Sequence, residues 1–237
     1  MYKGQKILAV IPARGGSKGI KLKNLKRLNK KSLLQHVKIC IDKLGSLIDH
    51  SVVSTDNEMI MKHAKKIGLD VPFLREKKLS GDLVDGNLVT LDALNKTEKI
   101  YKVKFDIILT LEPTCPLRNF KNVKKIIKKL VNSNFHSVLT VSKLDTKYHP
   151  FKQLAVKNNK IDFFNEKGRK IIARQQLKET YIRNGEGYAV KKKHFIKNKN
   201  VFTKNNSFVV SKNFSWSIDS LFDLKYCEWI LKNKAKF

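Results

Sequence analysis

The sequence predicts an α/β fold, a mostly parallel sheet with helices on both faces, built as a single domain of 237 residues. Two observations lead there. Continuous apolar runs of strand length alternate with segments whose apolar residues recur every three or four positions, the pattern of a sheet buried on both sides. The first apolar run, Ile7 to Ile11, opens directly into the glycine-rich, cationic stretch Ile11 to Asn24, IPARGGSKGIKLKN. In open α/β sheets, ligands bind beyond the carboxyl ends of the strands, where this stretch would lie.

That stretch carries Gly15, Gly16 and Gly19 with Arg14, Lys18, Lys21, Lys23 and, just beyond, Lys26. Glycines let a backbone take positive φ and bring its N–H groups close to a ligand, and the cations suit a strongly anionic one. The reading is a phosphate cradle. Neither G-x-x-x-x-G-K-[S/T] nor G-x-G-x-x-G fits the glycine spacing.

Leu33, Leu34, Val37, Cys40, Ile41 and Leu44 then mark an amphipathic helix that Gly45 can end. His50 to Ser54 is a second strand, and Thr55 or Asp56 is placed to cap the next helix, which carries Ile60, Met61, Ala64 and Ile67 and stops at Gly68. Val71 to Leu74 reads as a short strand and Asn87 to Asn95 as a helix. Ile107 to Leu111 is a buried strand, Val123 to Leu130 a helix and Val138 to Val141 a strand. From 143 to about 185 the rhythm breaks into polar sequence with Pro150 and Asn158-Asn159, read as a β-rich excursion from the sheet. Alternation resumes at Tyr188 to Val190 and closes in a helix using Leu221, Leu224, Cys227, Ile230 and Leu231.

Composition narrows the partners. The net charge is +30, but only seven of the 50 basic residues are arginine, and the lysines are spread along the chain. Nucleic-acid sites lean on arginine for bidentate contacts, so the surplus reads as a solvated surface and nucleic acid is not expected as a partner. No apolar leader or long apolar span is visible, which predicts a cytoplasmic protein without membrane insertion. The three cysteines have no metal spacing, with Cys40 and Cys227 in apolar helical contexts, and the six histidines show no ligand pattern.

The first loop resembles the N-terminal signature of the acylneuraminate cytidylyltransferases, approximately A-R-x-x-S-K-G-[L/I]-x-x-K-N, matched by Ala13, Arg14, Ser17, Lys18, Gly19, Ile20, Lys23 and Asn24. Four further blocks follow in that family's order. Ser54-Thr55-Asp56 matches its S-T-D. Arg75 and Asp82 match an arginine near the cytosine and a downstream polar residue, with Gly86 where serine is usual. Glu112-Pro113-Thr114-Cys115-Pro116-Leu117-Arg118 matches L-Q-P-T-S-P-L-R from its second position, with Glu112 in place of glutamine. Arg174-Gln175-Gln176, Asn184-Gly185 and Tyr188 match R-Q-x…N-G-x-x-Y, with Glu186 and Gly187 as departures where sugar specificity would have drifted.

The resemblance, from about residue 5 to 232, implies a Rossmann-like sheet of the nucleotide-diphospho-sugar transferase type, with the excursion serving as a dimerisation flap. It implies transfer of CMP from CTP to the anomeric hydroxyl of a 2-keto-3-deoxy sugar acid, sialic or another nonulosonic acid, with Mg²⁺ and release of pyrophosphate, in a homodimer supplying cell-surface polysaccharide synthesis. Arg14, Lys18, Lys23 and Asp219 would be catalytic. Ala13, Arg14, Gly15, Ser17, Asn24, Arg75, Asp82, Glu112 and Thr114 would bind the nucleotide. Arg174, Gln175, Gln176, Asn184 and Tyr188 would bind the sugar. Asp219 would hold the metal. The family's usual D-x-D pair reads Ser217-Ile218-Asp219 here, so Glu112 is a second candidate for the missing charge. Two alternatives stay open: a transferase for a different acid, such as an eight-carbon, legionaminic-type or pseudaminic-type one, and, because Ser217 breaks the metal pair, a nucleotide-sugar-binding relative without catalysis.

Overall fold

The computed structural model describes residues 1–212 and 216–233. Along the chain run β1 (Ile7–Pro12), the short pair β2 (Arg27–Leu28) and β3 (Lys31–Ser32), α1 (Leu33–Leu44), β4 (His50–Ser54), α2 (Glu58–Lys66), α3 (Gly86–Tyr101), β5 (Ile107–Thr110), α4 (Phe120–Val131) and β6 (Ser137–Lys143). There follow β7 (Leu154–Lys157), β8 (Lys160–Phe163), β9 (Tyr181–Lys191), α5 (Lys192–Asn198), β10 (Asn206–Val210) and α6 (Leu221–Asn233).

The main sheet has the order β10-β6-β9-β5-β1-β4. β1 pairs in parallel with β4 and β5, and β10 in parallel with β6. β9 runs antiparallel between β5 and β6. All strands but β9 therefore point one way, as the mostly parallel expectation requires.

The alternation inside β1 explains its unbroken apolar run. Ile7, Ala9 and Ile11 join the core formed with Leu34, Val37, Ile60 and Val123 of α1, α2 and α4. Leu8 and Val10 join Ala93, Leu94 and Phe195 of α3 and α5 on the other face. Each face is covered, so both sets of alternating side chains are apolar. α1 begins at a reciprocal cap between Ser32 and Gln35 and ends at Gly45, whose φ is 53°.

Several expectations are corrected. The cap of α2 is Asn57, whose side chain accepts from the Ile60 N–H, so neither Thr55 nor Asp56 has that task. Residues 71–74 form no strand. Only the isolated bridges Val52 to Asp70 and Thr55 to Leu74 hold that segment, and Pro72 between them has no N–H for a ladder. α3 continues past Asn95 to Tyr101 because tertiary contacts bury its polar end. There the Glu98 carboxylate accepts from the Phe105 N–H and from Lys192. The excursion begins as expected and contains the antiparallel hairpin β7–β8, but the chain rejoins the sheet at Tyr181, before residue 185. α5 and the edge strand β10 have no counterpart in the sequence reading. In α6, Cys227 is buried while Leu221 is exposed.

Candidate active site

Because β1, β4 and β5 are parallel and β9 runs back, the ends of the first three and the start of the fourth share one edge of the sheet. The glycine-rich loop leaves β1 there, Thr55-Asp56 leaves β4, Glu112 follows β5, and Arg183 opens β9.

Gly15 and Gly19 are needed for close approach rather than for unusual φ, since none of the loop glycines is among the residues with positive φ. A Cβ on Gly19 would stand 2.1 Å from the Asp219 carbonyl oxygen, and one on Gly15 2.8 Å from Asn57 Cβ. Gly15 also donates its N–H to Asp56 Oδ1 at 2.8 Å. The loop is thus clamped between the start of α2 and the segment before α6. Asn24, buried, ties its far end by donating Nδ2 to the Arg14 carbonyl at 2.9 Å.

The cations are fixed by carboxylates. Arg14 meets Asp82 Oδ1 at 3.0 Å and Lys18 meets Asp82 Oδ2 at 2.9 Å. Lys18, with Arg14 behind it, holds the Asp82 carboxyl below its ordinary range. Lys23 lies 2.8 Å from Asp219 Oδ1, the lysine only 13% exposed and the aspartate 74%. Arg75 is buried, donates Nε to Ser80 Oγ at 3.1 Å and stands 3.7 Å from Asp56 Oδ1.

These groups surround a cleft of about 480 Å³. Arg14, Ser17, Lys18, Lys23, Asn24, Arg75, Asp82, Glu112, Thr114 and Asp219 all line it. Ala13 and Gly15 do not. Ala13 is wholly buried and donates its N–H to the Ser54 carbonyl, and Gly15 is turned to Asp56, so both shape the cleft from behind.

The loop after β5 is clamped onto β9 by Arg118. Its guanidinium donates to the main-chain carbonyls of Glu112, Gly185 and Glu186. β9 bulges at this point. Leu139 of β6 pairs with Tyr188 and Val141 with Arg183, so Thr140 alone faces residues 184–187. Gly185 takes a φ of +73°, which an L side chain resists, and the bulge turns the strand toward Glu112.

A second cavity of about 550 Å³ opens on the bulge, lined by Ser142, Arg183, Asn184, Tyr188 and Ser217 among others. Glu112 lines both cavities, as their common wall. Burial pushes the Glu112 carboxyl up from its ordinary range, against the opposing pull of Arg118 and Arg183. Burial likewise raises the Tyr188 phenol.

Placement of the sugar-side residues is uneven. Tyr188 and Asn184 line the second cavity, but the Asn184 amide is engaged inward, donating to Ser142 Oγ and Ser211 Oγ and accepting from the Glu186 N–H. Arg174, Gln175 and Gln176 form an exposed turn outside both cavities, where Gln176 accepts from the Ile172 and Ala173 N–H groups. Glu186 does not face the sugar-side cavity either. It is buried, and its carboxylate accepts from Asn122, Ser211 and the Asn119 N–H. Sequence reading missed Asp56, taken for a cap although its motif was visible, and Arg183, whose position beside Asn184-Gly185 was its only signal. Asp219 and Ser217 face different cavities, so the broken D-x-D pair is divided between them.

A glycine loop whose cations converge on one cleft, at the carboxyl edge of a largely parallel sheet, belongs to the class of proteins that handle phosphorylated nucleotides. The chain belongs to the cytidylyltransferase family, which matches residues 8–232, and is accordingly a nucleotidyltransferase. It is 32% identical to the post-translational flagellin modification protein B of Campylobacter coli, with 96% of each chain covered. It is also 32% identical to the CMP-N,N'-diacetyllegionaminic acid synthase of Campylobacter jejuni, again over 96% of each. In fold it is similar to a CMP:2-keto-3-deoxy-manno-octonic acid synthetase solved with CTP, at a TM-score of 0.70 and 14% identity, covering 97% of this chain and 99% of that one. Among the described residues no helix is long and apolar enough to cross a membrane.

Proposed function

We propose that the protein transfers CMP from CTP to the anomeric hydroxyl of a nine-carbon 2-keto-3-deoxy sugar acid. The observation that carries this reading is the pair of cavities meeting at Glu112, one cationic and walled by the glycine loop, the other polar and open to a sugar. The names of relatives such as the legionaminic acid synthase support the substrate class. The hydroxyl oxygen of the sugar would attack the α-phosphorus, the bond from that phosphorus to the bridging oxygen would break, and pyrophosphate would leave. The hydroxyl proton passes to solvent.

Such a transfer depends on positioning and on neutralising charge. Arg14, Lys18 and Lys23 would hold the triphosphate and the departing pyrophosphate. Ser17, Asn24 and Thr114 offer neutral hydrogen bonds, and buried Arg75 closes the base end of the cleft. The donor set suits Mg²⁺. Among the described residues no group of three or more His, Cys, Asp or Glu is arranged to hold a metal, so the ion would rest on Asp219, water and phosphate oxygens, an arrangement Mg²⁺ accepts. When bound, Mg²⁺ would supply further neutralisation of the triphosphate, with Glu112 across the cleft as a second carboxylate.

A homodimer fits the excursion. An isolated two-stranded hairpin is marginal in water, and β7–β8 leaves Val156, Ile161 and Phe164 exposed. A second copy covering that face would also give Arg174 and Gln175 a cavity to meet.

Pyrophosphate release tests the reading, with CTP against ATP, GTP and UTP and with nine- and eight-carbon keto-sugar acids. Turnover with CTP and one nine-carbon acid supports it. CTP binding without turnover favours the binding-only alternative that Ser217 keeps open. Turnover confined to an eight-carbon acid moves the substrate class.

A further inference from the structure

The second cavity holds a guanidinium with nothing to bind. Arg14 is paired with Asp82, Arg75 with Ser80 and Asp56, Arg118 with main-chain carbonyls, and Arg169 with Asp162 and Glu166. Arg183 makes no ion pair and donates no hydrogen bond among the described residues, although it is the one arginine lining this cavity. Its guanidinium carbon sits 5.3 Å from the centre of the Phe202 ring, a contact that holds the planar group in place while leaving its N–H edge open. Its backbone is fixed too, paired to Val141 at the edge of the β9 bulge.

The neighbours sharpen the assignment. Asn184 has its amide committed to Ser142, Ser211 and Glu186. Arg174 is outside the cavity in the same chain. Glu112 on the shared wall would repel an acidic ligand unless a cation stood near it, and Arg183 is the cation this cavity supplies. A planar guanidinium matches a carboxylate with two parallel N–H···O bonds.

Resting on the function proposed above, we infer that Arg183 binds the carboxylate of the acceptor sugar acid, so that this chain's own β9, rather than the Arg174 turn, reads the acid group. The residue positions the acceptor and takes no part in bond making.

The test varies the acid and CTP separately in wild type, R183A, R183K and R174A, with melting temperatures as a fold control. It also measures inhibition by an unreactive 2-deoxy analogue of the accepted acid, as the free acid and as its C1 amide. R183A should raise KM for the acid by about 10- to 100-fold, the loss of one charge-assisted pair, with KM for CTP unchanged. R183K, keeping charge without the fork, should fall between. Wild type should prefer the free acid over the amide, and R183A should lose that preference. If R183A keeps the preference, or R174A abolishes it instead, the assignment is overturned. If wild type itself turns over no keto-sugar acid, the functional reading falls first and the assignment with it.

Discussion

Lys23 and Asp219, 196 positions apart, meet at 2.8 Å where the glycine loop docks on the segment preceding α6. One partner is nearly buried and the other mostly exposed, so the pair is worth little to stability, about 0–1 kcal/mol. Its value lies in holding a lysine at the cleft. K23M should therefore change unfolding free energy by less than about 1 kcal/mol yet lower kcat by about 100-fold, as expected for removing one group that stabilises developing charge. D219N should also slow turnover, and the double variant should lose less than the sum of both. Additive losses in such a cycle would separate the two residues' roles.

The same docking predicts a contrast between two glycines. G19A sets a methyl 2.1 Å from the Asp219 carbonyl oxygen, so the loop or its partner must move. A loss of about 1–3 kcal/mol in chemical denaturation is expected, with weaker CTP binding. Gly16 has open space around its would-be Cβ, and G16A should leave stability within about 1 kcal/mol of wild type. Equal effects at both positions would contradict the docked arrangement.

Asp56 ties the loop to Arg75, through the Gly15 N–H and a 3.7 Å approach to the guanidinium. D56A should raise KM for CTP more than it lowers kcat, because it loosens the cradle without touching the reacting atoms. Removing a charged hydrogen-bond acceptor from this part-buried site should cost about 1.5–3 kcal/mol, readable in the same denaturation series.

Glu186 is a structural centre. E186A would leave the Asn119 N–H and the Ser211 hydroxyl without their acceptor, costing about 1–3 kcal/mol, whereas E186Q keeps an acceptor and should cost less. A change in sugar preference without any change in melting temperature would reverse this assignment.

Glu112 sets a pH dependence of stability. Its carboxyl is raised on folding by burial, so between the ordinary glutamate value and the raised one the folded protein binds more protons than the unfolded chain. Stability contributed by this group is then greatest at low pH and declines as pH climbs through that window. E112Q, which cannot ionise, should be more stable than wild type above the window and lose that advantage below it. Denaturation midpoints of the ligand-free protein across pH 4–8 would show this as a difference that grows with pH, and a difference of the opposite slope would refute it.

What the sequence determined by itself was local. Continuous apolar runs placed the main strands and apolar spacings of three to four residues placed the helices, because each reports which faces of its own segment are buried. The cationic loop and the Glu112 to Arg118 loop were legible for the same reason, as short runs of unusual chemistry after a strand, and Asp219 through the family resemblance. Tertiary structure alone decided the rest. β9 carries an apolar and polar mixture whose direction and bulge depend on fitting between β5 and β6 and on Thr140 facing residues 184–187. That bulge turned Asn184 and Glu186 inward to partners on other elements, and left Arg183 open. Asp56 looked like a cap until Asn57 took the helix and Gly15 came within reach. A side chain's task depends on which neighbours satisfy it first, and those neighbours lie tens to hundreds of residues away in the chain.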